Sequence, residues 1–213
     1  MNRRPNLLSG EDLPRAPLQK RSIVKRARLH EAALALFGEK GYETTSVEEI
    51  ASRAGLAVGT LYQHYRSKRQ LLLVLMDDLL EKLNGLDFRV PSEGGRGDVR
   101  SILRHLLARA FTADLHYLGA YRAWQEAMLS EPSLARENAA IHKWTSARVE
   151  TVFRALQRHP AARRDIDVAS LAQAMDSFFW SLLGQAQQMA KPALRRKVDA
   201  ATHLIFHALF RDS

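Results

Sequence analysis

Apolar positions recur along most of the chain at intervals of three and four residues, and no stretch shows the apolar-polar alternation of a half-buried strand. From Ser22 to Glu39 one helical face is marked by Ile23, Ala27, Ala33, Leu34 and Phe37, and Lys40-Gly41 supplies a basic last turn and a glycine stop. Thr44-Thr45-Ser46 then precedes Val47-Glu48-Glu49-Ile50-Ala51. Thr45 or Ser46, followed three residues later by Glu48 or Glu49, makes a capping box, and Gly55 ends a helix of about two turns. After Leu56 a third short helix runs from Ala57 to Tyr65. Ser67-Lys68 opens a long fourth one through Leu83, stopped at Asn84-Gly85. Two short helices across a tight glycine turn predict a helix-turn-helix.

Residues 91 to 98, from Pro91 to Asp98, read as the clearest internal loop, with Asp98 as an N-cap. Beyond it helical patterns cover about 98–113, 117–130, 133–158, 165–190 and 193–210, punctuated by Pro132, His159-Pro160 and Pro192. The predicted class is all-α with about nine helices: an N-terminal three-helix bundle carrying the helix-turn-helix and a larger C-terminal helical domain. Residues 1–19, broken by Pro5, Gly10, Pro14 and Pro17, read as a flexible basic arm, 20–66 as a DNA-binding domain and 67–213 as the helical body.

Charge sharpens this division. The formal net charge is +9, and residues 1–69 hold 13 Lys and Arg against 7 Asp and Glu. Such an excess favours a polyanion, because each cation placed at a phosphate releases condensed counterions. Arg3, Arg4, Arg15 and Lys20 place part of it on the arm, within reach of phosphates or a minor groove. The longest apolar run, Leu71 to Met76, is far short of the roughly 20 residues of a membrane span, so no membrane contact is expected. No signal-peptide pattern follows Arg3-Arg4, so a cytoplasmic location is expected. The absence of cysteine excludes disulfides and thiolate chemistry.

With Leu61 set inward and about 100° taken per residue, Tyr65 and Ala57 fall on the buried side of the third helix. Gly59 and Gln63 then point away from the core, flanked by Thr60, Tyr62 and Arg66. That outward set suits a duplex. A glycine admits close backbone approach, the Thr60 and Tyr62 hydroxyls can donate to phosphates, Gln63 can pair with an adenine edge, and Val58 can meet a thymine methyl.

Residues 44–51 followed by Gly55-Leu56-Ala57-Val58-Gly59-Thr60-Leu61-Tyr62-Gln63-His64-Tyr65-Arg66-Ser67-Lys68 closely resemble the tetracycline-repressor (TetR) family signature. The resemblance covers roughly residues 22–70 by motif and the rest by helix count. It implies that Val58, Gly59, Thr60, Tyr62, Gln63 and His64 lie in or beside a major groove. It also implies that Thr45, Ser46 and Lys68 bind phosphate at helix starts. Two positions depart from the pattern. Ala57 stands where a capping Ser or Thr is common, and Tyr65 replaces the usual Phe, adding a hydroxyl that needs a partner.

The resemblance further implies a homodimer on a palindromic double-stranded DNA operator, acting as a repressor and released by a small, hydrophobic or aromatic effector. The last two helices offer broad apolar faces for a dimer bundle, with Met175, Phe179, Leu182 and Leu183 on one and Leu204, Ile205 and Ala208 on the other. For the effector pocket the candidates are Tyr121, Trp124, Gln125, Trp144 and Phe178. Two alternatives stand beside this reading: a constitutive or architectural helix-turn-helix protein with no ligand, and a metal-dependent helical sensor or enzyme. His203 and His207 share a helical face as two metal ligands can, but no third ligand is evident. No phosphate-binding glycine loop, nucleophile elbow or dinucleotide fingerprint occurs, so neither a cofactor nor an enzymatic activity is expected.

Overall fold

The structure, a computed structural model, describes residues 3–14, 19–86, 96–186 and 189–210. It is all-α: α1 (Lys20–Lys40), α2 (Val47–Arg53), α3 (Val58–His64), α4 (Lys68–Asn84), α5 (Arg96–Leu115), α6 (Leu118–Ser130), α7 (Pro132–Leu156), α8 (Val168–Ala186) and α9 (Lys191–Leu209). No strand occurs among the described residues; the single isolated bridge joins Ala162 to Phe210. The loop expected at residues 91–98 lies outside the described residues up to 95. Because α5 already begins at Arg96, Asp98 sits inside its first turn and is not the N-cap. No helix among the described residues is long and apolar enough to cross a membrane.

The helices form two compact units, Pro5–Lys82 with His116–Asn138, and Met1–Arg4 with Leu83–Leu115 and Ala139–Ser213. The first unit does not follow chain order, because α6 returns to pack on α1. Small residues make that close approach possible. A Cβ on Gly119 would stand 1.9 Å from the Leu34 carbonyl oxygen, and Ala120, Ala123 and Ala127 continue the same buried face. Leu29, Ala33 and Phe37 of α1 are buried in this unit, as are Leu71 to Met76 of α4. A helix start apolar on every side is a buried one.

The N-terminal arm is more ordered than a flexible basic tail. Leu7 is 4% exposed. Glu11 pairs with Arg69 at 2.5 Å and accepts from Gln70 at 3.3 Å, while Arg66 donates to the Asp12 carbonyl at 2.9 Å and pairs with its carboxylate at 2.6 Å. The segment therefore straps the turn between α3 and α4 through its acidic residues. Arg15, expected at DNA, lies outside the described residues.

The second unit is built around Val99, Leu103 and Leu106 of α5, Phe153 and Leu156 of α7, Val168 and Ala172 of α8, and Ile205, Leu209 and Phe210. Gln185 of α8 accepts from Lys197 of α9 at 2.8 Å, a side-chain bond between these two helices.

Candidate nucleic-acid interface

Helices as short as α2 and α3 are marginal on their own, so their ends and neighbours decide their geometry. Ser46 is extended (φ −98°, ψ 160°); its hydroxyl accepts the Glu49 N–H at 3.1 Å, and the Glu49 carboxylate accepts the Ser46 N–H at 2.9 Å. Of the capping-box alternatives the sequence leaves open, this is the one formed. Lys40 also pairs with Glu49, and that bond, with the Ser46 amide, holds the Glu49 carboxyl at about 2. At the far end Gly55 turns left-handed (φ 63°), its N–H reaching Ser52 O and the Leu56 N–H reaching Ala51 O, each at 2.9 Å. These are the paired bonds of a Schellman turn, and they deliver the chain directly into α3.

On α3, Leu61 and Tyr65 are 0% and 1% exposed, as the helical period requires. Gly59, Tyr62 and Gln63 are exposed; Val58, Thr60 and His64 are half-buried. Burial, then the Arg26 and Lys25 charges, holds the His64 pKa below its ordinary value. Ala57 corrects the expectation of a buried position: it is exposed, because as the extended N-cap (φ −69°, ψ 147°) it stands outside the helical period. Gly59 is the informative residue. Nothing lies within 4 Å of the place a Cβ would occupy there, and its φ is outside the left-handed region. Neither crowding nor backbone strain inside the chain calls for glycine, which costs about 1 kcal/mol against alanine in a helix interior. The backbone at this point is open to approach from outside the chain.

The Tyr65 hydroxyl has two partners. Arg26 Nε donates to it at 3.1 Å, and it bonds in turn to His30 Nε2. Burial above all, with the charges of Arg26 and then His64, lowers the His30 pKa to about 4, so the ring is neutral near pH 7 and Nε2 can accept. His30 Nδ1 faces Asp78 at 3.4 Å. A polar chain from Arg26 through Tyr65 and His30 to Asp78 thus ties the end of α3 to α1 and α4. Burial pushes the Tyr65 phenol up to about 12.

Thr45 and Lys68, which the resemblance places at phosphates, turn their polar groups onto the chain itself. Thr45 is 1% exposed and donates to Gly41 O at 2.6 Å. Lys68 Nζ donates to Tyr42 O at 2.6 Å and Thr45 O at 2.9 Å, and sits 4.2 Å from the Tyr42 ring centroid. Partial burial lowers its pKa. Both side chains bind the turn between α1 and α2 from within. Glu126 of α6 holds the same turn by accepting the Tyr42 N–H at 2.5 Å.

The second unit holds a partly open cavity of about 120 Å³ lined by Leu103 and Leu106 of α5, Trp144, Val149 and Phe153 of α7, Met175, Phe178 and Phe179 of α8, and Ile205 of α9, among others. Of the five residues expected at a pocket, Trp144 and Phe178 line it. Tyr121, Trp124 and Gln125 belong to the first unit, where Trp124 Nε1 donates to Asn138 at 3.1 Å. The residues expected at a dimer face also divide. Met175, Phe179 and Ile205 line the cavity, Leu182 and Leu183 are buried within the chain, Ala208 is half-buried, and Leu204 is exposed. Among the described residues no three His, Asp or Glu are grouped to hold a metal ion; His203 and His207 lie ring to ring at 4.1 Å.

Residues 29–75 match the family of bacterial regulatory proteins described as the tetR family. The chain is similar to the transcriptional repressor KstR of Mycolicibacterium smegmatis, 35% identical over 71 residues, which cover 33% of this chain and 35% of that protein. This chain thus spans about a third of the length of that relative. It is similar over a longer stretch to the transcriptional activator FasR of the same organism, 30% identical over 158 residues, covering 72% of this chain and 70% of FasR. Among solved structures it is similar in fold to SmeT in complex with triclosan, with a TM-score of 0.64 at 21% identity, covering 89% of this chain and 93% of that one.

Proposed function

The chain is a transcriptional regulator belonging to the tetR family of bacterial regulatory proteins, and we propose that it binds a palindromic double-stranded DNA operator as a homodimer, represses the adjoining genes and lets go when a small apolar effector enters its second unit. The observation that carries the DNA reading is the outward face of α3. There exposed Gly59, Tyr62 and Gln63 are set beside Val58, Thr60 and His64 on a helix fixed from behind by Leu61 and Tyr65. Ser46 adds its helix start. With Thr45 and Lys68 engaged internally, phosphate binding falls to the hydroxyls of Thr60 and Tyr62.

The dimer face we assign to the exposed sides of α8 and α9. There the large apolar side chains Phe178 of α8 and Leu204 of α9 are left 39% and 57% exposed. Two readers related by such a dimer would enter successive major grooves roughly 34 to 36 Å apart. The effector reading rests on the cavity, whose presence favours it over a constitutive binder. SmeT holds triclosan in a chain of this fold. A ligand that prefers one spacing of the two readers by about 1 to 3 kcal/mol changes operator affinity roughly 5 to 150 fold.

The test is selection of bound duplexes from a random pool by the purified chain. A two-fold symmetric sequence with half-sites about one helical turn apart is the expected product. Enrichment of no sequence would contradict the proposal. A reporter fused to the selected operator then reads the sign, repression being expected.

A further inference from the structure

The acidic arm is anchored by buried groups. Leu7 is buried, and so is Gln70, whose side-chain amide accepts the Arg66 N–H at 2.9 Å and donates to the Asp12 carbonyl at 3.2 Å and to Glu11 at 3.3 Å. Ion pairs are added to that frame: Arg66 with Asp12 at 2.6 Å, and Arg69 with Glu11 at 2.5 Å and with Glu131 at 2.7 Å. The Arg66 and Asp12 side chains are 62% and 79% exposed. A pair so open to water contributes little to folding. Its consequence is the field it leaves at the end of the reading helix.

We infer that the arm is an electrostatic brake on DNA binding, in which Asp12 occupies the guanidinium of Arg66 and withholds it from a phosphate. This rests on the proposal that the outward face of α3 meets DNA. Arg66 stands three residues beyond exposed Gln63, a stretch of chain that spans at most about 11 Å. Charges act over about 8 to 10 Å near physiological salt, so a duplex on α3 lies at the reach of this guanidinium. Asp12 takes two of its donors, Nη2 on the carboxylate and Nε on the main-chain carbonyl. Those two N–H groups form one edge of the guanidinium, and that edge is one a phosphate binds through two parallel bonds. The cations of the α3–α4 turn, Arg66, Lys68 and Arg69, are matched in number by Glu11, Asp12 and Glu131, which leaves this turn without net positive charge. Phosphates carry no sequence, so the pair sets the strength and salt dependence of binding and leaves the choice of operator to α3.

Asp12→Asn removes the charge and keeps the main chain, so the carbonyl held by Gln70 and Arg66 stays in place. Binding of the full-length chain to its selected operator and to a mixed-sequence duplex is measured by fluorescence anisotropy across a salt series, beside a thermal melt. With the melting temperature of wild type, Asp12→Asn is expected to steepen the slope of log affinity against log salt by about 0.9 on both duplexes, one phosphate's increment. Affinity near 0.15 M salt should rise about fivefold on each. In Asp12→Asn with Arg66→Gln the slope is expected to return to the wild-type value. An unchanged slope in Asp12→Asn would overturn the inference. So would a steeper slope that survives in the double variant, since repulsion between Asp12 and DNA would then account for it without Arg66. A wild-type chain that binds neither duplex would instead remove the reading of α3 on which the inference stands.

Discussion

Tyr65 takes the Nε–H of Arg26 on its hydroxyl at 3.1 Å, inside a side chain 1% exposed. An apolar position in the hydrophobic period has thereby become a polar joint between the reading helix and α1. Tyr65→Phe keeps the ring and removes the joint, leaving Arg26 and His30 each short of a partner. We expect a loss of about 1 to 3 kcal/mol in unfolding free energy, measured by urea denaturation. An unchanged midpoint would show that the hydroxyl contributes nothing.

His30 gives the fold a dependence on pH. Its folded pKa of about 4 lies below the ordinary 6.5, chiefly through burial. Between those values the unfolded chain binds a proton that the folded chain does not, so acid favours unfolding. Stability from this group is complete above about pH 6.5 and is lost as pH falls toward 4. In thermal melts across that window, His30→Gln is expected to flatten the wild-type decline. A wild-type profile as flat as the variant's would contradict the burial argument.

Lys68 separates an internal role from a nucleic-acid one. Its ammonium binds the carbonyls of Tyr42 and Thr45, so Lys68→Met is expected to cost about 2 kcal/mol of stability. The salt dependence of DNA binding should stay as it was. Were Lys68 at a phosphate, the substitution would instead reduce the slope of log affinity against log salt by about 0.9, the increment for one neutralised phosphate.

The arm supplies a fourth expectation. Removing residues 1–14 uncovers the site of Leu7 and releases Arg69 and Gln70 from Glu11. The loss expected in denaturation is about 2 kcal/mol. Equal stability of the shortened chain would mean that the strap only rests on the surface.

The local features of the reader were legible because they are written in adjacent residues. The Ser46–Glu49 box, the Gly55 turn and the inward Leu61 and Tyr65 each need only a few neighbouring positions. Thr45 and Lys68 were not, because whether a hydroxyl or an ammonium turns inward depends on which carbonyls another segment leaves open. The arm's low-period, proline-broken sequence conceals that Glu11 and Asp12 match cations on the α3–α4 turn. The candidate pocket residues divide for a similar reason: Tyr121 and Trp124 have the composition of a ligand site, but Gly119 and the alanines of α6 commit that helix to α1. The buried Asp176, joined to His142 and Trp180, is visible only once α7 and α8 are side by side.

The central claim is that the exposed face of α3 meets DNA, and Gly59 tests it with least disturbance to the fold. A methyl group there meets no atom of the chain, and replacing a helical glycine by alanine favours folding, by at most about 1 kcal/mol. The decisive measurement is the affinity of Gly59→Ala for the operator selected by the wild-type chain, read by fluorescence anisotropy beside a thermal melt. The predicted result is a melting temperature equal to or above wild type with operator affinity reduced at least about tenfold, or about 1.4 kcal/mol. Undiminished affinity in an equally stable protein would contradict the account.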